Sequence, residues 1–155
     1  MNILVIGGNG FVGKHLVNHL VVRKHKVKII DLVYNPNFKK IDQIIGDFND
    51  NKILEKGFKN IDVVYHLGGL SDLNDTLHKP IETININIIG TINVLEACKK
   101  YKIKRFIYSS TVYVNSNEGG FYKSSKKAAE NYIREYSKLY GIKFTILRYG
   151  SIYGP

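Results

Sequence analysis

The segment Asn2-Ile3-Leu4-Val5-Ile6-Gly7-Gly8-Asn9-Gly10-Phe11-Val12-Gly13 decides the fold. Its apolar run reads as a buried strand, Asn2–Ile6, which enters the glycines without a spacer. An amphipathic stretch follows from Gly10 to Arg23, with Val12, Leu16, Val17 and Leu20 on one face. Two glycine spacings overlap, Gly7-x-x-Gly10-x-x-Gly13 and Gly8-x-Gly10-x-x-Gly13. Either one puts bare backbone and the free amides of a helix N-terminus where a pyrophosphate approaches. A glycine pattern alone is weak evidence; a strand before it and a helix after it give it meaning. Gly7, Gly10, Phe11, Val12 and Gly13 are therefore candidate contacts for a dinucleotide cofactor.

Outward from this turn, short β-branched runs alternate with longer amphipathic ones. Strands are expected at Val27–Asp31, Asp42–Ile45, Val63–Leu67, Arg105–Ser109 and Phe144–Arg148. Helices are expected at Asn51 to Gly57, at Ile81 to Lys102 (stripe Ile84, Ile88, Ile92, Leu95, Cys98) and at Ser124 to Tyr140 (stripe Ala129, Tyr132, Ile133, Tyr136, Tyr140). This alternation predicts a doubly wound parallel sheet of about six strands, a Rossmann fold in three α/β/α layers. No repeat or linker tract interrupts it, so residues 1–155 read as one domain.

Composition narrows the class. With 155 residues, 44% of them apolar, and 3 Pro, the chain can bury a core and is not disordered by composition. The single Cys98 excludes an internal disulfide and any Cys-rich zinc site, and on its apolar stripe it reads as buried and inert. No basic leader precedes Ile3, and no uncharged apolar run reaches about 18 residues, so a soluble, cytoplasmic protein with no membrane partner is expected. The net charge of +10 raises the question of nucleic acid. Its densest run, Lys99 to Arg105, falls where a helix ends, a favourable place for cations, and the remaining basic residues are scattered. No nucleic-acid partner is expected.

Three further groups carry chemistry. Asp31, at the end of the second strand and eighteen residues past Gly13, is placed to accept hydrogen bonds from an adenosine ribose diol and to repel a 2′-phosphate. That favours NAD over NADP; Lys39 and Lys40 soften the preference and leave NADP open. Tyr122 and Lys126 lie one helical turn apart, where an ammonium stabilises a phenolate and lowers the tyrosine pKa. Ser109-Ser110-Thr111 ends the fifth strand at the sheet edge where α/β folds bind ligands. His15 and His19 stand four apart on the first helix but have no third ligand, so they read as a surface pair and no metal is assigned. His66 reads as a structural hydrogen-bonding group.

Taken together, these segments resemble the extended short-chain dehydrogenase/reductase superfamily, within it the NAD-dependent nucleotide-sugar epimerase/dehydratase family. The similarity covers the whole chain. It rests on Ile3 to Gly13, Gly46-Asp47, His66-Leu67-Gly68-Gly69, Asn87 to Thr91, Ser110-Thr111, Tyr122 to Lys126, and Leu147-Arg148-Tyr149-Gly150-Ser151-Ile152-Tyr153-Gly154-Pro155. The resemblance implies that Asp47 hydrogen-bonds the adenine edge, that Phe48 binds the cofactor beside it, and that Leu67, Gly68 and Gly69 pass against the cofactor. It implies that Asn87 fixes the helix beside the catalytic centre and that Thr111, with Ser110 as runner-up, hydrogen-bonds the substrate. It further implies that Lys126 holds the nicotinamide ribose while tuning Tyr122.

Departures from the family pattern fall at four places. Ser110-Thr111 runs directly into Val112-Tyr113-Val114, without the two residues that usually separate the paired hydroxyls from a following Val-Tyr-Gly, and the segment Val114 to Phe121 is short. Ile6 stands for a common Thr and Gly68-Gly69 for a common Ala pair, neither of which should prevent cofactor binding. In the family, the segment ending at Pro155 leads into a second, substrate-binding domain. The expectation is an NAD-binding domain truncated before that second domain. Its activity is expected to be that of a nucleotide-sugar 4-epimerase, closest to those acting on UDP-glucose, with a nucleoside diphosphate sugar as substrate. The alternatives are a dehydratase or reductase of the same family, or a non-catalytic NAD-binding module. By analogy, a homodimer would form through Ile81–Lys102 and Ser124–Tyr140.

Overall fold

The computed structural model describes residues 1–154; Pro155, the last residue of the expected Leu147 to Pro155 motif, lies outside them. Six strands, β1 (Asn2–Ile6), β2 (Lys26–Asp31), β3 (Asp42–Ile45), β4 (Val63–His66), β5 (Arg105–Thr111) and β6 (Phe144–Tyr149), form one sheet. Their order is β3-β2-β1-β4-β5-β6 and every pairing is parallel. The chain winds from β1 toward β3, then returns past β1 to build β4, β5 and β6. The reversal leaves a crevice outside the carboxyl ends of β1 and β4, where Ile6 is flanked by Ile30 and His66.

Helices α1 (Phe11–Val22), α2 (Asn51–Phe58), α3 (Leu73–His78), α4 (Pro80–Thr83), α5 (Gly90–Lys100) and α6 (Gly120–Tyr140) cover the sheet. One face, carrying Leu4, Ile6, Val64 and Phe106, packs against Phe58 of α2, Leu95 of α5 and Ile133 of α6. The other face, with Ile3, Val5 and Ile29, is covered by Val17 and Leu20 of α1 and by Phe38. Because both faces are covered, Ile3 to Ile6 are all buried, which is why β1 reads as a continuous apolar run instead of an alternating one. The doubly wound, three-layer expectation is met.

The differences are local and have physical causes. β5 runs to Thr111, two residues past its expected end, because β6 pairs with it as far as Thr111↔Tyr149. α6 starts at Gly120, behind Gly119 at φ 92°, so Tyr122 lies in its first turn. α3 was not expected; the Asp72 side chain nucleates it by accepting from the amides of Asn74 and Asp75. The expected helix Ile81–Lys102 is α4, a π-helical stretch (Ile84–Ile89) and α5 in succession, with right-handed helical dihedrals at both junctions. The wider turn shifts the phase of the stripe. Ile84 is exposed and Ile88 and Ile92 are half-buried, whereas Asn87, Gly90 and Thr91 are buried. On α6, Tyr132 and Tyr140 are likewise exposed, and the polar residues Ser125, Lys126 and Glu130 are buried instead.

Cys98 is buried, and burial pushes its thiol up. The basic run after α5 pairs with local acids, Lys100 with Glu55 at 2.8 Å and Lys104 with Asp62 at 2.7 Å. Among the described residues no helix is long and apolar enough to cross a membrane.

Leu95 is 0% exposed between sheet and helices, and Leu139 on α6 is 67% exposed. Leu95→Ala is expected to lower unfolding free energy by about 2–5 kcal/mol, and Leu139→Ala to change it by about 0.5 kcal/mol or less. Urea denaturation of the two variants checks this.

Candidate functional site

The glycine turn is built by close backbone approach. Gly7 adopts φ 79°, and its amide donates to Ile30 O at 2.8 Å, tying the end of β1 to β2. A β-carbon at Gly13 would overlap Gly7 O and come within 2.7 Å of Gly8 Cα, so only glycine lets α1 begin here. The first bond within α1 runs from Lys14 N to Gly10 O at 2.9 Å. The amides of Phe11, Val12 and Gly13 stand ahead of it, at the positive end of the helix dipole.

In front of those amides lies a cavity of about 540 Å³. It brings together Gly7, Gly10, Phe11, Val12, Gly13, Asp31, Phe48, Leu67, Gly68, Gly69 and Tyr122 of the expected site. Asp31 is half-buried, and its Oδ2 accepts from Asn9 N at 2.9 Å. Phe48 stands edge-on to His66, with ring centroids 5.2 Å apart, and lies close under Gly68. Asp47 is not among the lining residues. It is exposed, and its Oδ1 accepts from Asn49 N at 2.8 Å, while Gly46 and Phe48 on either side of it form the wall.

Asn87, Lys126, Ser110 and Thr111 also stand outside that cavity, at its far end. Asn87 sits in the π-helical stretch and clamps the loop after β4. Its Oδ1 accepts from Leu70 N at 2.8 Å, and its Nδ2 donates to Leu70 O at 2.9 Å and to Ser125 Oγ at 3.0 Å. Lys126 is buried behind Gly69. Its Nζ donates to Ser109 O at 2.9 Å and lies 4.8 Å from the Tyr108 ring centre. Ser110 and Thr111 line an adjoining cavity of about 330 Å³ that shares Tyr122 with the first. Ser110 is engaged from behind, donating to Glu130 Oε1 at 2.7 Å, whereas the Thr111 hydroxyl accepts from Tyr113 N at 3.3 Å.

The electrostatics correct one expectation. Lys126 was expected to lower the Tyr122 pKa; instead burial, with a smaller contribution from Tyr113, raises it. Lys126 Nζ is 5.8 Å from the Tyr122 ring centre and donates to Ser109 O, and burial lowers its own pKa to about 8, so the ammonium gives up its proton before a phenol with a raised pKa ionises. His66 is held neutral by burial, at about 3. Its Nε2 meets Thr91 Oγ1 at 3.2 Å, and that hydroxyl donates to Asn87 O at 2.7 Å. That is the structural role expected of His66. His15 and His19 are exposed on α1, with the His15 ring edge-on to Phe11.

Glu130 was missed by the sequence reading. It is buried one helical turn beyond Lys126, and Arg148 grips both of its oxygens, Nε to Oε1 at 2.9 Å and NH2 to Oε2 at 2.6 Å. Burial alone would raise its carboxyl, but the hydrogen bonds from Arg148 and Ser110, with the charges of Arg148 and Arg134, outweigh it and hold the pKa below the ordinary value. The signal was available: an acid on the face of α6 that also carries Lys126 and Ala129 needs a cation, and the β6 side chain of Arg148 supplies it.

Comparison with known proteins agrees with this geometry. The model of the NAD dependent epimerase/dehydratase family matches residues 3–155, so the chain belongs to that family. The Thermus thermophilus UDP-glucose 4-epimerase complex with NAD superposes with a TM-score of 0.92 at 30% identity, covering 100% of this chain and 57% of that one. The Thermotoga maritima UDP-glucose 4-epimerase with UDP-glucose gives 0.93 at 29% identity, again covering 100% and 57%. The dTDP-D-glucose 4,6-dehydratase of Dictyostelium discoideum is 31% identical over 99% of this chain and 44% of its own length. The chain spans about half the length of the relatives it matches.

Because Lys126 titrates near 8 in the fold against 10.5 in an open chain, the unfolded state binds the extra proton between those values. Its burial therefore penalises the fold fully below pH 8, and the penalty fades as pH rises to 10.5. Lys126→Met is expected to be more stable than the parent by roughly 1–2 kcal/mol at pH 7, after allowing for the lost bond to Ser109 O. The advantage should vanish by about pH 10.5, read from urea midpoints across pH.

Proposed function

We propose that this member of the NAD dependent epimerase/dehydratase family binds NAD in the crevice outside β1, β2 and β4 and carries the catalytic groups of a nucleotide-sugar 4-epimerase. The observation that carries the reading is one groove with two ends. It runs from the helix amides and Asp31 to Ser109 and Tyr122, and adjoins the pocket of Thr111. The residues present fit a dinucleotide: a β-carbon at Gly10 would meet protein only at Gly7 O, 3.4 Å away, and would stand in the space a diphosphate needs.

In this reading the amides of Phe11, Val12 and Gly13 hold the diphosphate and the Asp31 carboxylate accepts from the adenosine ribose diol. Gly68 and Gly69 let the cofactor lie against the sheet, and Asp47 and Phe48 border the adenine. NAD, when bound, would supply the hydride acceptor for C4 of the sugar, inversion following when the hydride goes back to the opposite face of the 4-keto sugar, and would add positive charge beside Tyr122. The Thr111 hydroxyl orients the sugar 4-hydroxyl, and the Tyr122 phenolic oxygen takes that proton and later gives it back. Since burial raises Tyr122, the phenol needs neighbouring positive charge to act as a base near neutrality. Lys126 contributes to that charge and holds the nicotinamide ribose, while Asn87 keeps Leu70 and Ser125 in place around it.

Epimerase is preferred to dehydratase because the turn after Thr111 carries Val112, Tyr113, Val114 and Asn115, none of them an acid able to drive loss of water. The nucleoside diphosphate of the substrate is to be gripped by a second, substrate-binding domain, and the protein is read as cytoplasmic. A homodimer through the surfaces of α4, α5 and α6 completes the reading, supported by exposed Ile81, Ile89 and Tyr132.

Calorimetric titration tests the cofactor: NAD is expected to bind more tightly than NADP, and Gly13→Val to abolish binding of both. Turnover of UDP-glucose with NAD, followed by NMR of the sugar, tests the chemistry. Tyr122→Phe is expected to lower it by roughly 10²–10⁴, and Thr111→Ala to lower it more than Ser110→Ala. A Tyr122→Phe protein as fast as its parent would leave only an NAD-binding module.

A further inference from the structure

The first residues after Asp31, 32–35, are held by polar bonds, ahead of the point where Phe38 enters the core. Leu32, Val33 and Tyr34 are exposed. The backbone that follows them, at Asn35 and Phe38, is fixed by Gln43, a half-buried residue of β3 whose side chain makes four hydrogen bonds. Its Oε1 accepts from Asn35 N and from Asn9 Nδ2, both at 3.0 Å, and its Nε2 donates to Asn35 O at 2.9 Å and to Phe38 O at 3.0 Å. Asn9 completes the link from within the glycine turn, its Nδ2 also donating to Val33 O at 2.6 Å. Both anchored residues supply an amide to Asp31: Asn9 N reaches Oδ2 at 2.9 Å and Val33 N reaches Oδ1 at 3.3 Å.

We propose that Gln43, acting with the Asn9 side chain, is a positioning residue for the Asp31 carboxylate and thereby sets the preference for an unphosphorylated adenosine ribose. This rests on the reading of the crevice as an NAD site. Each Asp31 oxygen keeps one lone pair engaged by a main-chain amide and one for a ribose hydroxyl, so the carboxylate stands ready in one orientation. A 2′-phosphate meets the same fixed charge and cannot push it aside while Asn9 and Val33 are pinned. Released from Gln43, the loop lets the carboxylate turn away. The diol then loses well-directed bonds and the phosphate loses an opponent, so the two affinities converge. Asn9 Oδ1, on the same amide, is enclosed without a partner.

The experiment is calorimetric titration of the whole chain with NAD and with NADP, for the parent, Gln43→Leu, Gln43→Glu and Asp31→Asn. Gln43→Leu keeps the bulk and removes all four bonds; it is expected to narrow the NAD preference by roughly tenfold, mainly by weakening NAD. Gln43→Glu retains the acceptor toward Asn9 and Asn35 and is expected to narrow it less; it decides the matter if circular dichroism shows the leucine variant unfolded. In the Asp31→Asn background, Gln43→Leu should leave the ratio unchanged, because its effect runs through that carboxylate. A Gln43 variant that weakens both dinucleotides equally, or neither, overturns the proposal while the NAD site stands. A parent that binds neither dinucleotide removes the site and the proposal together.

Discussion

The whole molecule depends on a distance of closest approach. α1 can start where it does only because Gly13 carries no side chain against Gly7 O and Gly8, and Gly7 can turn only in a left-handed conformation against the backbone of Gly68. These two approaches fix the height of α1 over β1 and the separation of β1 from the loop after β4, and the crevice is what remains between them. A methyl group at either position would push apart the elements whose amides are meant to converge on one ligand.

From that constraint the two ends of the groove differ in kind. At the Asp31 end the polar groups are satisfied at short range, the Asp31 carboxylate by two amides and the loop by Gln43. At the other end charge is buried without full compensation: Lys126 leans on one carbonyl and an aromatic face, and Tyr122 is pushed up by its surroundings. A cation buried in this way is unfavourable for the fold and available to a ligand. Glu130, with Arg148 and Ser110, supplies a fully bonded counterpart beneath it and keeps α6 in register with the ends of β5 and β6.

Much of this was legible in the chain. β1 and β3 were read to the residue, since an apolar run closed by glycine and a β-branched run closed by Gly46-Asp47 have unambiguous ends. The lining of the cavity in front of α1 was legible because glycine and acid spacings state backbone requirements directly. Periodicity failed where the helix was not α: the π-helical stretch changes the repeat, so an apolar stripe counted at three and four residues assigned Ile84 to the core and overlooked Asn87 and Thr91 as buried groups. Composition misled at α6, where tyrosines counted as core are exposed and a lysine and a glutamate are buried, because those two are enclosed by partners that lie far away in sequence. The sign of the Tyr122 shift was missed for the same reason: sequence gives the spacing of two side chains but not where the ammonium points or how much water surrounds the phenol.

The reversal of strand order has a consequence for how the protein is made. β1 gains its neighbour β2 soon after synthesis begins, but its other edge must wait for Val63 to His66, which pair with Ile3 to Ile6. Throughout that interval β1 lacks the partner for one of its two edges. The central strand of the finished sheet is thus its most vulnerable edge during translation, and closing it is the same event that completes the ligand crevice.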